Sequence, residues 1–191
     1  CAIQAEIEAQ GAEMAFGLPI VAAGKHSAQP HYRTTNTVLH PGDVVVMDYG
    51  ARLNGYNSDM TRTVCIGEST PEIQKIYRIV YDAHYAAREA VKPGVTAESV
   101  DAAARAVIEK AGYGKFFVHR TGHGIGLSVH EPPYIVQGNK QILEEGMCFS
   151  IEPGIYLPGR FGVRIENLVV VTADGCQSLN AEPPPHIREV G

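Results

Sequence analysis

Two apolar runs in this chain end the same way, and that repetition narrows what it can fold into. Leu39-His40-Pro41-Gly42, five residues and Asp48-Tyr49-Gly50 match Leu143-Glu144-Glu145-Gly146, five residues and Glu152-Pro153-Gly154, with Leu, Gly, acid and Gly at identical offsets. The linking runs, rich in Val, Ile and Phe, read as buried strands. Each strand therefore delivers a carboxylate and then turns. A helical segment upstream of each run stops at glycine, at Gly11 and at Gly112, so a unit of helix, loop and acid-bearing hairpin is predicted to occur twice.

Each hairpin then brings a second acid back, Asp59 in the first and Glu166 in the second. A carboxylate taken out of water either carries a large desolvation cost or shifts its pKa and becomes neutral. One acid beside a hairpin turn needs no special explanation, because such residues commonly stabilise turns. Four acids from two facing hairpins would repel one another unless cations lay among them. Two divalent ions, carrying +4, would balance them.

The remaining sequence supports one ordinary globular domain of 191 residues, 45% hydrophobic and 19% charged. Ser69-Thr70-Pro71-Glu72 starts a helix with Ile73, Ile76, Tyr77, Val80 and Ala87 on one face, and Pro93-Gly94 ends it. A second helix starts at Thr96, turns Val100, Ala104, Val107, Ile108 and Ala111 inward and stops at Gly112. Strands are predicted over 44–48, 59–66, 147–151 and 162–172.

A net charge of -5 without a long basic run argues against nucleic acid or an anionic membrane as partner. No apolar run approaches the roughly 18 residues of a membrane span, and no signal segment opens the chain, so a cytoplasmic protein is expected. Cys1, Cys65, Cys148 and Cys176 form no CxxC pair and read as free thiols. Residues 1–10 read as the later part of an amphipathic helix, which predicts a chain shortened at its N-terminus.

Functional groups are densest in Val118-His119-Arg120-Thr121-Gly122-His123-Gly124-Ile125-Gly126-Leu127-Ser128-Val129-His130-Glu131. Its glycines permit close backbone approach, and its histidines offer ligands or proton carriers. It is neither a phosphate loop nor a dinucleotide fingerprint. His130-Glu131-Pro132-Pro133 is not a helical H-E-x-x-H zinc site, because the prolines break the helix and the second histidine is missing. No G-x-S-x-G serine-hydrolase elbow occurs.

Five motifs in order carry a resemblance over nearly the whole chain: Asp48, Asp59-Met60-Thr61-Arg62-Thr63, Gly122-His123-Gly124-Ile125-Gly126, Glu152-Pro153-Gly154-Ile155-Tyr156 and Arg164-Ile165-Glu166. Together they resemble the metallopeptidase family of prolidases, Xaa-Pro aminopeptidases and methionine aminopeptidases. The resemblance implies the α+β pita-bread fold, two pseudo-symmetric halves whose curved antiparallel sheets are covered by helices, with residues 1–191 as the catalytic domain. It implies Asp48 as a terminal ligand of one metal ion, His123 and Glu152 as ligands of a second, and Asp59 and Glu166 as bridges between them. A hard donor set of this kind favours Mn(II) or Co(II), with Fe(II) or Zn(II) as alternatives.

By the same resemblance Glu152 also shuttles a proton, His130 helps stabilise the tetrahedral intermediate, and His31 binds substrate near the amide. His119 and Arg164 support the ligands from behind. The form of the Asp59 and Glu166 motifs resembles the prolidase and Xaa-Pro aminopeptidase branch, which implies a peptide substrate with proline in second position and a homodimer for the full-length protein. Some prolidases place an arginine four residues after the outer histidine to catch a dipeptide carboxylate. Tyr134 stands there, which favours an aminopeptidase acting on longer X-Pro peptides over a dipeptidase. The competing readings are a methionine aminopeptidase, a metal-free amidinohydrolase and a non-catalytic binding protein on the same fold.

Overall fold

The computed structural model describes residues 1–191. Three α-helices are present: α1 (Ala2–Ala9), α2 (Pro71–Ala90) and α3 (Ala97–Lys110). Helix α2 begins as its sequence dictates. Thr70 Oγ1 accepts the Ile73 amide at 3.3 Å, Pro71 fills the first turn where its missing N–H costs nothing, and Ile73, Ile76, Tyr77, Val80 and Ala87 are buried. In α3, Val100, Ala104 and Ile108 are buried, whereas Val107 and Ala111 are only partly covered. Helix α1 buries no residue, so its apolar positions have no cover within these residues.

Two sheets carry the duplicated pattern. The first has the spatial order 188–190, 60–66, 44–49, 20–23, and the second 176–178, 167–171, 148–151, 122–124, 131–135. In each, the central strand that leads to the first acid is flanked by antiparallel neighbours, an earlier strand on one side and the strand following the second acid on the other. A hairpin joins the two acids in each half, at 51–57 in the first and 154–164 in the second.

Small details repeat as well. Gly11 and Gly112 sit at φ +83° and +88°. Each closes its helix with paired hydrogen bonds, Gly11 N–H to Glu8 and Ala12 N–H to Ile7 in one half, Gly112 N–H to Glu109 and Tyr113 N–H to Ile108 in the other. Gly42 donates to the Ile66 carbonyl at 2.7 Å, and Gly146 donates to that of Val171 at 2.9 Å. The repeat is imperfect at its leucines, since Leu143 is fully buried and Leu39 lies largely in solvent.

The expected strand over 162–172 is in fact two, Phe161–Arg164 and Asn167–Val171. The first pairs with 154–157 in the hairpin and the second with 148–151 in the main sheet. At the changeover, Ile165 N–H reaches the Pro153 carbonyl and Glu166 N–H reaches that of Thr61. Glu166 is therefore aimed by a break between two ladders. The strand expected from Asp59 likewise starts one residue later, at Met60, leaving Asp59 at its mouth.

Helices α2 and α3, the second hairpin and the inner faces of both sheets share one apolar core, which includes Val44, Cys65, Ile76, Val80, Ile108, Phe149, Ile151, Ile155, Val163 and Val169. The four cysteines are all free, and no helix is long and apolar enough to cross a membrane. Ile76, fully buried under both halves, should be sensitive to truncation: Ile76→Ala should cost about 2–5 kcal/mol. Thermal or urea unfolding would measure it.

Candidate metal centre

The acids at the strand ends meet in one open cleft of about 620 Å³. Its walls include Asp48, Asp59, His123, Glu152, Glu166, His31, His130, His119 and Arg164; of the site residues expected from sequence, only Tyr134 lies outside them. Ligand atoms of Asp59, His123 and Glu166 all lie within 4.8 Å of one another. His123 Nε2 is 3.3 Å from Glu152 Oε1 and 3.8 Å from Asp59 Oδ2.

His123 is presented by the short strand Gly122–Gly124, and the glycines on either side are required by contact. A Cβ on Gly122 would fall 1.8 Å from the Ser150 carbonyl oxygen, and one on Gly124 would fall 2.3 Å from that of Pro132. The His123 amide donates to Ser150 Oγ at 3.0 Å, and its Nδ1 lies 3.0 Å from the Gly124 carbonyl. That bond places the ring proton on Nδ1 and leaves the Nε2 lone pair facing the carboxylates, the tautomer a metal ligand needs. Burial holds the His123 pKa down to about 4, so the ring is neutral.

Arg164 organises the opposite wall. Its Nη2 donates to Asp48 Oδ2 at 2.6 Å, Nε to Thr61 Oγ1 at 3.0 Å, and Nη1 to Tyr156 Oη at 2.9 Å and the Pro30 carbonyl at 3.2 Å. Thr61 Oγ1 passes its own proton to Glu166 Oε2 at 2.7 Å. Arg164 thus orients Asp48 directly and Glu166 through a threonine. Tyr156 Oη accepts from Arg164 and donates to His119 Nε2 at 2.7 Å, while His119 Nδ1 donates to the Arg120 carbonyl at 2.7 Å. His119 is neutral, its pKa lowered to about 3 by burial, and it acts as the far post of this network.

Two outer histidines stand at the rim. His130 is exposed with its ring edge-on to His123 at 4.2 Å, and burial lowers its pKa with help from the nearby Arg120 charge. His31 is also exposed at the cleft, next to the Pro30 carbonyl that Arg164 grips. The segment leading to it is pinned where Ser27 Oγ accepts the Gly162 amide at 2.8 Å. Tyr134 pairs with His123 across the sheet, and its ring lies under the Arg120 guanidinium.

Sequence reading missed Thr61, Tyr156 and Arg120. The threonines had a signal. Along Met60–Ile66 burial alternates so that Thr61, Thr63 and Cys65 all point inward, and hydroxyls at inward positions of a strand ask for buried partners. Arg120, which lines the cleft, gave none.

Electrostatics provides a test of whether the donor set suits cations. Asp48 Oδ1, Asp59 Oδ1 and Glu166 Oε1 are buried with no hydrogen-bond partner, although such atoms are nearly always satisfied. Burial, then Asp48 and Glu152, push the Asp59 pKa up to about 9. Burial lifts Glu152 to about 7, and Glu166 is raised well above its usual range by burial and by Asp59. Four carboxylates share one buried arginine, and three of their oxygens face each other unpaired. Oxygen-seeking divalent cations fit that deficit.

A sequence model of metallopeptidase family M24 matches residues 1–173. The chain is 55% identical to the Xaa-Pro dipeptidase of Lactobacillus helveticus over 160 residues, which is 84% of this chain and 44% of that protein. Its fold superposes on the crystal structure of dipeptidase PepE from Mycobacterium ulcerans with a TM-score of 0.95 at 51% identity, covering 99% of this chain and 51% of that one. An X-Pro aminopeptidase structure from Thermotoga maritima gives a TM-score of 0.94 at 44% identity, covering 98% and 52%. The chain therefore belongs to metallopeptidase family M24 and has its pita-bread fold. It spans about half the length of the curated relatives it matches.

Proton linkage gives a prediction for the cation-free protein. A carboxyl whose pKa is raised on folding stabilises the fold while protonated and loses that contribution as pH rises through the folded pKa. Below pH 6.5 the buried neutral histidines act in the opposite sense, because they cost the fold protons that the unfolded chain binds. Between pH 7 and 8.5 the histidines are neutral in both states, so the raised carboxyls set the slope, with Glu152 titrating near 7 and Asp59 still protonated. Stability in EDTA should fall across that window by on the order of 1 kcal/mol per pH unit. Mn(II) should raise the melting temperature more at pH 8.5 than at pH 7, and Asp59→Asn should flatten the EDTA profile. Melting curves with and without chelator would read all three.

Proposed function

We propose that this chain carries the catalytic centre of a metallopeptidase that hydrolyses the bond between an N-terminal residue and proline, using two divalent ions, Mn(II) or Co(II) before Fe(II) or Zn(II). The observation carrying this is the cluster of four carboxylates and one neutral imidazole with unpaired oxygens directed into the cleft. The relatives named for action on Xaa-Pro dipeptides support the substrate class.

In this reading His123 and Glu152 would hold one ion and Asp48 the other, and Asp59 and Glu166 would serve both. Ions bound there supply Lewis acidity, which lowers the pKa of an attacking water and polarises the scissile carbonyl. The protein residues supply position and proton traffic. Glu152, with a pKa near neutrality and Ser150 Oγ 3.2 Å from its Oε1, is suited to take a proton and return it to the departing proline nitrogen. His130 lines the cleft beside His123 with no side-chain hydrogen bond, so its ring N–H can meet the oxygen on which negative charge develops. His31, which lines the same cleft, can bond the substrate amide. Phe16, Ile20 and Val129 form the apolar part of the wall, which suits a pyrrolidine ring. Arg164, His119 and Tyr156 act by holding Asp48 and Glu166 still.

The test is a peptide panel of Met-Ala, Ala-Pro and Ala-Pro-Ala with Mn(II). Hydrolysis of the proline peptides is expected, and a preference for Met-Ala would point instead to a methionine aminopeptidase. Two variants separate holding ions from using them. Asp59→Ala should lose metal and activity together, whereas His130→Ala should keep its metal and lose about 10²-fold or more in turnover. Metal content by mass spectrometry beside kcat would decide the assignment, and a metal-free His130→Ala protein would refute it.

A further inference from the structure

Arg62 belongs to the motif that opens with Asp59, yet it does not line the cleft. It alternates with Thr61 along the strand Met60–Ile66, so its side chain leaves on the other face. There its guanidinium makes four hydrogen bonds, all to neutral oxygens. Nη1 donates to the Glu166 carbonyl at 2.5 Å and to the Thr61 carbonyl at 2.9 Å. Nη2 donates to Asn167 Oδ1 at 2.8 Å and to the Ala181 carbonyl.

A guanidinium holds its N–H donors in a fixed fork, so it orients whatever it grips. What Arg62 grips is the place where Glu166 is aimed. Glu166 lies between the strands Phe161–Arg164 and Asn167–Val171 and belongs to neither. Its amide donates to the Thr61 carbonyl at 3.2 Å, its Oε2 accepts from Thr61 Oγ1 at 2.7 Å, and its carbonyl accepts from Arg62. Two consecutive residues of the other half therefore hold Glu166 at both ends of its backbone and at one carboxylate oxygen. The atom left over is Oε1, buried without a partner.

The clamp is itself anchored. The Ala181 carbonyl that receives Arg62 Nη2 also accepts from Asn167 Nδ2 at 3.3 Å, and Asn180 Oδ1 beside it accepts the Leu168 amide at 2.6 Å. Glu182 pairs with Arg88 at 2.5 Å, and the segment then runs on to 188–190, which lies parallel to residues 64–66 of the strand that carries Arg62. Ionised Asp59 and Glu166 repel each other, so an acid free to swing would leave the cluster. Thr61 restrains the head of Glu166, and Arg62 restrains its root.

We propose that Arg62 is a positioning residue for Glu166: it clamps the backbone of this acid from outside the cleft and keeps the carboxylate where it can serve both ions. The inference rests on the two-ion reading above and deepens it by naming what holds one of the shared ligands in place.

The principal variants are Arg62→Met, which keeps an apolar stem and removes every donor, and Arg62→Lys, which keeps the charge without the fork. Ile76→Ala, a core truncation that removes no side-chain hydrogen bond, controls for a general loss of stability. Calorimetric titration with Mn(II), well below each melting temperature, should show two ions bound by the unsubstituted chain and by Ile76→Ala. Arg62→Met should weaken Mn(II) binding by about tenfold or more, and Arg62→Lys should recover part of the loss. Hydrogen exchange in EDTA is a second arm that needs no ion. Without the clamp the Glu166 amide should exchange about tenfold faster or more relative to the amides of 148–151, whereas Ile76→Ala should shift both alike. In Arg62→Met, an unchanged Mn(II) affinity or an unchanged exchange ratio would overturn the proposal, and so would losses that Ile76→Ala reproduces. Fewer than two ions on the unsubstituted chain would strike the two-ion reading instead, and the exchange arm would then decide Arg62 by itself. Should Arg62→Met not fold, Arg62→Lys is judged against the same outcomes.

Discussion

The structure depends on one electrostatic constraint, the gathering of four carboxylates, two buried and two half-buried, around a single engaged arginine. Asp59 and Glu166 are 5% and 2% exposed, and neither has a full set of partners. Ionised together they would repel; protonated together they would be unremarkable acids in a polar pocket. The protein keeps them in place by fixing their frame. Arg164 reaches one acid directly and another through Thr61, the glycines beside His123 let backbone oxygens close in, and the break at Ile165–Glu166 turns one side chain inward. These parts make a firmly held cavity lined by carboxyl oxygens, the donors that divalent cations prefer.

The duplicated architecture explains how so many acids converge. Each half contributes a central strand, an acid, a hairpin and a second acid, with the same glycine-closed helix before it and the same glycine bond at the start of its strand. Facing such units across a shared core brings the four strand ends to one place. The halves then diverge where function differs. The second half places its fifth strand beside His123, and with it Tyr134 and the rim that supports Arg120.

Much of this was legible in the sequence because it depends on local rules. The cap at Thr70, the Gly112 stop, the inward faces of α2 and α3, and the matched acids all follow from residue type and spacing. Nine of the ten site residues named from the sequence line the cleft, six of them within the five motifs. What stayed hidden depends on contacts between distant segments. A run of apolar residues over 162–172 reads as one strand, since nothing local says that its two ends pair with different partners. Thr61 and Tyr156 become meaningful only when Arg164 lies between them.

The bond from Thr61 to Glu166 joins residues 105 positions apart, and Thr63 reaches the Arg164 carbonyl over a separation of 101. Neither half contains a complete set of acids, and each holds the other's strand end in place, Arg164 gripping Asp48 and Thr61 gripping Glu166. The cavity therefore has no precursor in a half-folded chain. Contacts of such long range carry the entropic cost of closing long loops. A cation seated among these acids would therefore need both halves docked, so its binding would read the joined state of the halves as well as the presence of ligands.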